Sequence, residues 1–379
     1  MMQPSLRALT LLAPAAVALS VVLGGCSSSV KKPEPAPLQP VVALVSASQS
    51  WTSRVGVVNF ALDVGVAGGT VGVAGSDGTV ALLDAQTGSD IWRVALNTPI
   101  AAGVGSDGKT LAVVTKANEV VALQAGRELW RARLSAQAFT APFVAGGRVF
   151  VLAADRSVNA FDGQTGRKLW TQQRANEPLV LRQAGVMLAV GDTLVVGLSG
   201  RLAGLNPSSG AIQWEAPIAS PRGINDVERL VDLTGRVSRD GDNVCVRAFQ
   251  ASIGCVNAVR GKLLWTKPAN GAQGIHGDDR LLFGTEADGT VVAWRRADGE
   301  RAWSSAQLRY RSLSAPLSAG RSVVIGDATG FLHLLSREDG SLLNRLPTDG
   351  SAIAAAPVLA GTTLIAVTHN GGVYGFKPE

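Results

Sequence analysis

The chain has 379 residues, 46% of them hydrophobic but only 5% aromatic, and 35 Lys and Arg against 29 Asp and Glu leave a formal charge of +6. The basic residues are scattered through turn-like segments, with no basic run and no interleaved aromatics, which argues against a nucleic-acid surface. His276, His333 and His369 stand far apart, none followed by a second ligand at metal spacing, so each reads as a structural or turn residue and no metal is expected.

In chain order, residues 1–7 are weakly basic, residues 8–22 are an apolar run, and Leu23-Gly24-Gly25-Cys26 follows. An apolar stretch this short, ending in small residues, predicts a secretory signal over residues 1–25 and not a membrane-spanning helix. Leu, two small residues and Cys resemble the bacterial lipoprotein cleavage box. That resemblance implies that Cys26 becomes the lipidated first residue of the mature chain, because the acyl chains need a free thiol at the new amino terminus. Ser27 at the next position resembles lipoproteins sent to the outer membrane, which implies a periplasmic domain anchored to that membrane. Residues 27–40, S-S-S-V-K-K-P-E-P-A-P-L-Q-P, have the composition of an extended tether, and residues 26–50 are assigned to it.

From Trp51 onward one segment recurs about every forty residues: a strand ending in Asp or a substitute, a Gly-containing turn, then Trp. It reads L-L-D-A-Q-T-G-S-D-I-W ending at Trp92, A-F-D-G-Q-T-G-R-K-L-W at Trp170 and G-L-N-P-S-S-G-A-I-Q-W at Trp214. Further copies end at Trp265 and Trp303, a shortened one at Trp130, and a worn one at Asn344, where Trp is expected. Between the Trp positions lie an early Pro (Pro142, Pro316, Pro357) and two apolar runs, so each unit supplies four short strands. A lone four-stranded sheet cannot bury both faces without neighbours, and the repeats predict propeller blades. The Trp side chains read as packing between blades. Small residues at one repeat position (Ala160, Gly204, Cys255, Ala293) are expected to let adjacent sheets approach.

After Asn344 the chain supplies three more strands and stops without a Trp strand, whereas Ser50-Trp51-Thr52 is a Trp strand with no blade before it. Joining the two closes the ring and leaves no open sheet edge at the seam. The expected fold is therefore an all-β, eight-bladed propeller of four-stranded antiparallel blades over residues 51–379, with seven blades the alternative if the worn Asn344 copy is a connection.

Little in the chain suggests catalysis. Gly-rich stretches such as residues 103–108 are hairpin turns with no helix behind them to cradle a phosphate, and no Gly-x-Ser-x-Gly elbow occurs. Cys245 and Cys255 fall on adjacent strands of the fifth repeat, on a hairpin folded around Gln250. Either they form a cross-strand disulfide, as an oxidising compartment allows, or they are two buried small hydrophobes. The Trp repeat is similar to the docking motif of pyrroloquinoline quinone dehydrogenases, also eight-bladed. The adjacent Cys pair often found beside that cofactor is missing, so the likeness extends to architecture only, and no cofactor is expected.

Lipobox, Pro-rich tether and degenerate eight-bladed propeller together resemble the BamB family, the lipoprotein subunits of the outer-membrane β-barrel assembly (BAM) machinery. The resemblance covers residues 26–379. Pro178-Leu179-Val180-Leu181-Arg182 looks like a Leu-x-Leu-Arg segment that the family presents on a connecting loop, and Asp226-Val227-Glu228-Arg229-Leu230-Val231-Asp232 looks like its acidic loop. The resemblance implies that Leu179, Leu181, Arg182 and Asp232 bind a POTRA domain of BamA, the barrel-inserting subunit. It also implies a non-catalytic scaffold that aids insertion of β-barrel proteins, with other machinery subunits and unfolded outer-membrane clients as further partners. Thr234 departs from the pattern, since relatives carry a second Asp there, which reduces the loop's negative charge. From pattern alone, residues 179–181 read instead as a buried first strand of blade four; the alternation of Leu beside Arg is also hot-spot composition. The rival functions are a periplasmic quinone-type or sugar-active enzyme, which needs a carboxylate-lined central channel, and a cell-wall adhesion module, which needs exposed aromatics on one rim.

Overall fold

The computed structural model describes residues 33–173, 179–221, 224 and 230–378. Residues 35–379 form one unit, and of residues 1–34 only the last two are described. The described chain forms eight four-stranded antiparallel sheets, seven of them built from strands consecutive in sequence. These are blades one to seven, over residues 65–95, 100–133, 143–172, 187–217, 233–268, 276–305 and 317–347. Blade eight combines strands within residues 358–378 with Ala47–Arg54, which pairs antiparallel with Gly372–Pro378, Trp51 opposite Gly375. The ring is thus an eight-bladed β-propeller closed by its own amino-terminal strand, which begins at Ala47, ahead of the Trp51 boundary.

Burial explains why the two middle strands of each blade read as unbroken apolar runs. Thr110–Thr115 is buried at every position, because a neighbouring blade covers each face, while the outer strand Lys262–Pro268 alternates and leaves one face to solvent. The apolar clusters lie between blades: Phe161 of blade three packs with Ala122 and Trp130 of blade two, and Val195 and Leu202 of blade four pack with Val246 and Val256 of blade five. Each fully buried Val or Leu contributes about 1.5–3 kcal/mol, so many modest side chains hold the ring without an aromatic-rich core.

The repeated residues have separate duties. The Asp that ends the third strand caps the following turn: Asp162 Oδ1 accepts the N–H groups of Gln164 and Thr165, and Asn206 does the same for Ser208 and Ser209. The Gly of the turn is then left-handed, and the Trp of the preceding blade lies against it. Gly166 has φ +70°, and a Cβ there would stand 2.5 Å from the Trp130 ring. The indole N–H donates to a turn carbonyl of that next blade: Trp130 to Gly163 at 2.9 Å, Trp170 to Pro207 at 3.0 Å, Trp265 to Arg296 at 2.8 Å and Trp303 to Arg337 at 2.9 Å. Trp51 donates to Ala85 of blade one in the same way, so the docking contact carries across the seam. The small residues lie between adjacent sheets as expected, Ala160 against Leu194 and Val196 and Ala293 against Val323 and Ile325, and they have a second role within their own sheets. Ala160, Gly204, Cys255 and Ala293 pair directly with Trp170, Trp214, Trp265 and Trp303 in their own sheets. A Cβ on Gly204 would fall 2.2 Å from the Trp214 ring, so these positions let each indole lie across its own blade on the way to the next.

Candidate functional site

The connection from blade three to blade four holds residues 179–186, and the first strand of blade four starts only at Met187. Residues 179–181 therefore form no strand. Leu179 is 40% exposed, Leu181 is half-buried and Arg182 is exposed. The connection from blade four to blade five brings Asp232 beside this segment, just before the strand Leu233–Asp240. Cys26, Pro178 and residues 226–229 lie outside the described residues.

Asp232 joins the two connections. Its Oδ2 accepts the Leu181 N–H at 2.9 Å, and its Oδ1 accepts from Arg156 Nη1 at 2.6 Å. Arg156, at the hairpin tip of blade three, also donates through Nη2 to the Leu179 carbonyl at 2.8 Å. The ion pair is sheltered, with 7% of the Arg156 side chain and 11% of the Asp232 side chain exposed. Such a pair is strong only where each charged group finds further hydrogen bonds, as both do here. Behind it, Thr140 Oγ1 accepts the Gly185 N–H at 2.8 Å, and the Gly235 N–H reaches the Ala184 carbonyl at 2.8 Å. Gly235 allows that approach, since a Cβ there would lie 2.6 Å from the Gly185 oxygen. The guanidinium of Arg182 lies over the Phe139 ring at 5.7 Å, which holds its charge at the surface beside Leu179.

The four site residues named from the sequence thus come together in space, with roles the sequence alone did not separate. Leu179, Leu181 and Arg182 present accessible surface, while Asp232, 8% exposed, is a positioning residue. Thr234 is buried at 1% on the first strand of blade five, so its side chain is not part of the exposed loop surface. Arg156 and Thr140 were missed, because a turn Arg and a strand-flanking Thr carry no distinguishing pattern.

Elsewhere, Cys245 and Cys255 are opposed across their hairpin and form a disulfide, with Gln250 left-handed at the turn. A central cavity of about 420 Å³ draws its lining from the entry segments of six blades, including Asp63, Gln183, Arg236 and Gln273. Burial pushes the Asp63 carboxyl up from its ordinary value, against the pull of Arg236, whose own pKa burial lowers to about 10. Asp63 is the acidic group in that lining, and among the described residues no three His, Cys, Asp or Glu side chains converge as metal ligands. Burial, with Arg236 and Arg296 nearby, pushes His276 down to about 3, and its Nδ1 accepts the Ser318 N–H at 3.0 Å. His333 is likewise buried, within blade seven.

Fold and site together define a tryptophan-docked, eight-bladed propeller that carries two connecting loops locked by one buried ion pair at a rim. The chain belongs to the BamB family: the family model described as "Outer membrane protein assembly factor BamB" matches residues 76–305. The outer membrane protein assembly factor BamB of Burkholderia pseudomallei is 39% identical over 97% of this chain and 98% of its own length. The crystal structure of BamB from Moraxella catarrhalis superposes with a TM-score of 0.80 at 22% identity, covering 88% of this chain and all of that one, and supports the fold. A quinohemoprotein alcohol dehydrogenase from Pseudomonas putida also shares the fold, with a TM-score of 0.67 and 13% identity over 88% of this chain and 76% of that one.

Proposed function

We propose that this chain is a non-catalytic scaffold lipoprotein of the outer-membrane β-barrel assembly machinery. In this reading Cys26 carries the lipid, residues 1–25 are removed, and the propeller stands on the periplasmic side of the outer membrane. Leu179, Leu181 and Arg182 grip a POTRA domain of BamA while Asp232 holds them in the presented conformation. The observation that supports this most is the Asp232 bridge, which orders an exposed Leu-x-Leu-Arg segment that would otherwise be an unsupported loop. Two apolar side chains beside an Arg already stacked on a ring form a preorganised anchor set, which reduces the ordering entropy lost on binding. The enzyme alternative is disfavoured by the central cavity, which pairs its acid Asp63 with the nearby cation Arg236.

The test is a detergent pull-down of tagged protein from its native envelope, wild type beside Leu181→Ala/Arg182→Ala, scored for a co-purifying β-barrel subunit with POTRA domains. Recovery by wild type and loss in the folded double mutant is the expected result. If wild type recovers no such partner, the scaffold reading fails and cofactor binding becomes the next experiment.

A further inference from the structure

Blade seven lacks the docking Trp, and residues 36–45 run along its outer side. The Ala36 N–H donates to the Arg309 carbonyl at 2.9 Å, and the Leu44 N–H to the Leu343 carbonyl at 2.8 Å. Three arginines, two of the blade and one of the connection leading into it, reach outward to carbonyls of this segment: Arg345 to Gln39 at 3.1 Å, Arg321 to Leu44, and Arg311 to Ala36 at 3.0 Å. Asn344, at the Trp position of the repeat, donates through Nδ2 to the Val45 carbonyl at 2.7 Å. Val45 and Ala47 pack into the apolar cluster between blades seven and eight, against Leu334, Leu343 and Phe376 among others. In the other interfaces that space belongs to an indole.

Arg311 and Arg345 are themselves braced from inside. Arg311 Nε donates to Asp327 Oδ2 at 2.7 Å, and the same oxygen lies 3.0 Å from His333 Nε2, with Asp327 and His333 wholly sheltered. Burial would raise the Asp327 carboxyl, but His333, the Phe331 N–H and Arg311 outweigh it and hold it well below the usual range. Asp327 is therefore ionised and fixes Arg311 in place. Arg345 stacks over Phe331 at 5.8 Å, its Nε 3.4 Å from His333 Nδ1.

We propose that residues 36–45 are a structural strap that takes the place of the docking tryptophan in blade seven, so that this part of the expected tether belongs to the propeller. Asn344 then reads as half of an exchange in which an indole N–H and ring are replaced by an amide N–H and the Val45 side chain. The strap also fixes where the chain enters the ring. Ala36 meets Arg309 and Arg311 in the connection between blades six and seven, at the rim that also carries the connection holding Leu179 and Arg182. With eight blades, those two connections stand roughly 135° apart around the ring. On the reading that Cys26 is lipidated, ten residues remain as the leash, a span of at most roughly 35 Å.

The experiment replaces residues 36–45 in the full mature chain with a Gly-Ser stretch of equal length, alone and combined with Asn344→Trp, and reads thermal melting and amide exchange. The expected result is a melting temperature lower by roughly 4–8 °C, with faster exchange over Leu342–Pro347, and recovery of at least half of the loss when Trp is added. Unchanged melting, or a Trp that restores nothing, overturns the exchange. If the replacement does not fold, the wild-type chain still decides: exchange of the Leu44 amide at the rate of an unstructured peptide overturns the strap, and protection supports it. Neither readout involves a lipid or a partner, so the result stands apart from the pull-down above.

Discussion

Asp232→Ala tests whether the site is built or merely exposed. The substitution removes the acceptor of the Leu181 N–H and the 2.6 Å partner of Arg156, whose side chain is only 7% accessible. Losing one member of a sheltered pair costs about 3–5 kcal/mol, and here the cost falls on the two connections, because the blades on either side keep their own ladders. At about 3 kcal/mol, the ratio of ordered to opened loop falls by up to roughly 150-fold. Exchange of the Leu181 amide should rise by the same factor, measured by NMR or mass spectrometry on the isolated protein. If the segment binds a POTRA domain as proposed, that affinity, measured by calorimetry, should weaken by the reciprocal of the ordered fraction that remains, although Asp232 itself is buried. Asp232→Asn keeps an oxygen for Leu181 and should fall between the two. An Asp232→Ala protein whose Leu181 amide exchanges at the wild-type rate would refute the bridge, and with it the positioning role.

Three further outcomes follow from the packing. Gly147 and Gly166 share a φ of +70°, but a Cβ at Gly147 meets nothing within 4 Å while one at Gly166 meets Trp130. Gly147→Ala should therefore cost only the backbone strain, about 1–2 kcal/mol, and Gly166→Ala distinctly more in urea melts; equal losses would mean that the indole contact contributes little. The Cys245–Cys255 bond closes a short loop, with a sequence separation of 10, and loop-closure entropy assigns it about 2.5–3 kcal/mol. The double Cys→Ala chain should melt roughly 4 °C lower, and an unchanged midpoint would remove that contribution. His276 stays neutral in the folded protein down to about pH 3, whereas the unfolded chain takes up its proton near 6.5. The unfolded state thus binds more protons between those values, so stability is intact above pH 6.5 and falls on acidification by about 1.4 kcal/mol per unit. His276→Gln, in urea titrations at pH 7 and pH 5, should lose about 2 kcal/mol less than wild type over that interval; parallel losses would show that His276 is not the responsible group.

Much of the architecture was legible because it is written as a repeat. Asp162, Gly166 and Trp170 each recur for a local reason, respectively turn capping, a left-handed turn and docking on the next blade, so their spacing gave the order of the blades and a count of eight or, with the Asn344 copy read as a connection, seven. The seam was legible as an unmatched Trp51 upstream and an unmatched set of strands downstream. What the pattern could not convey was direction. Asp232 reads as a surface charge in sequence, and only the fold turns its carboxylate inward toward Arg156, 76 residues away. Ala160 and Gly204 read as interblade spacers, and the sequence did not show that their smallness also makes room for a ring in the same sheet. Asn344 read as wear, because the segment that compensates for it lies some 300 positions upstream, beyond the reach of any local period.

The closing strand sets the order of events as the chain is made and folds. Ala47 pairs with Pro378, so the contact that completes blade eight must wait until the strand Gly372–Pro378 has been made. Until then the early blades can form only as an open arc with a raw edge at the seam, and the segment that will seal it stays unpaired near the amino terminus. Contacts of such sequence separation form late and slowly. A truncated or stalled chain, however many blades it has made, is therefore left with an unsatisfied edge by which quality control could recognise it.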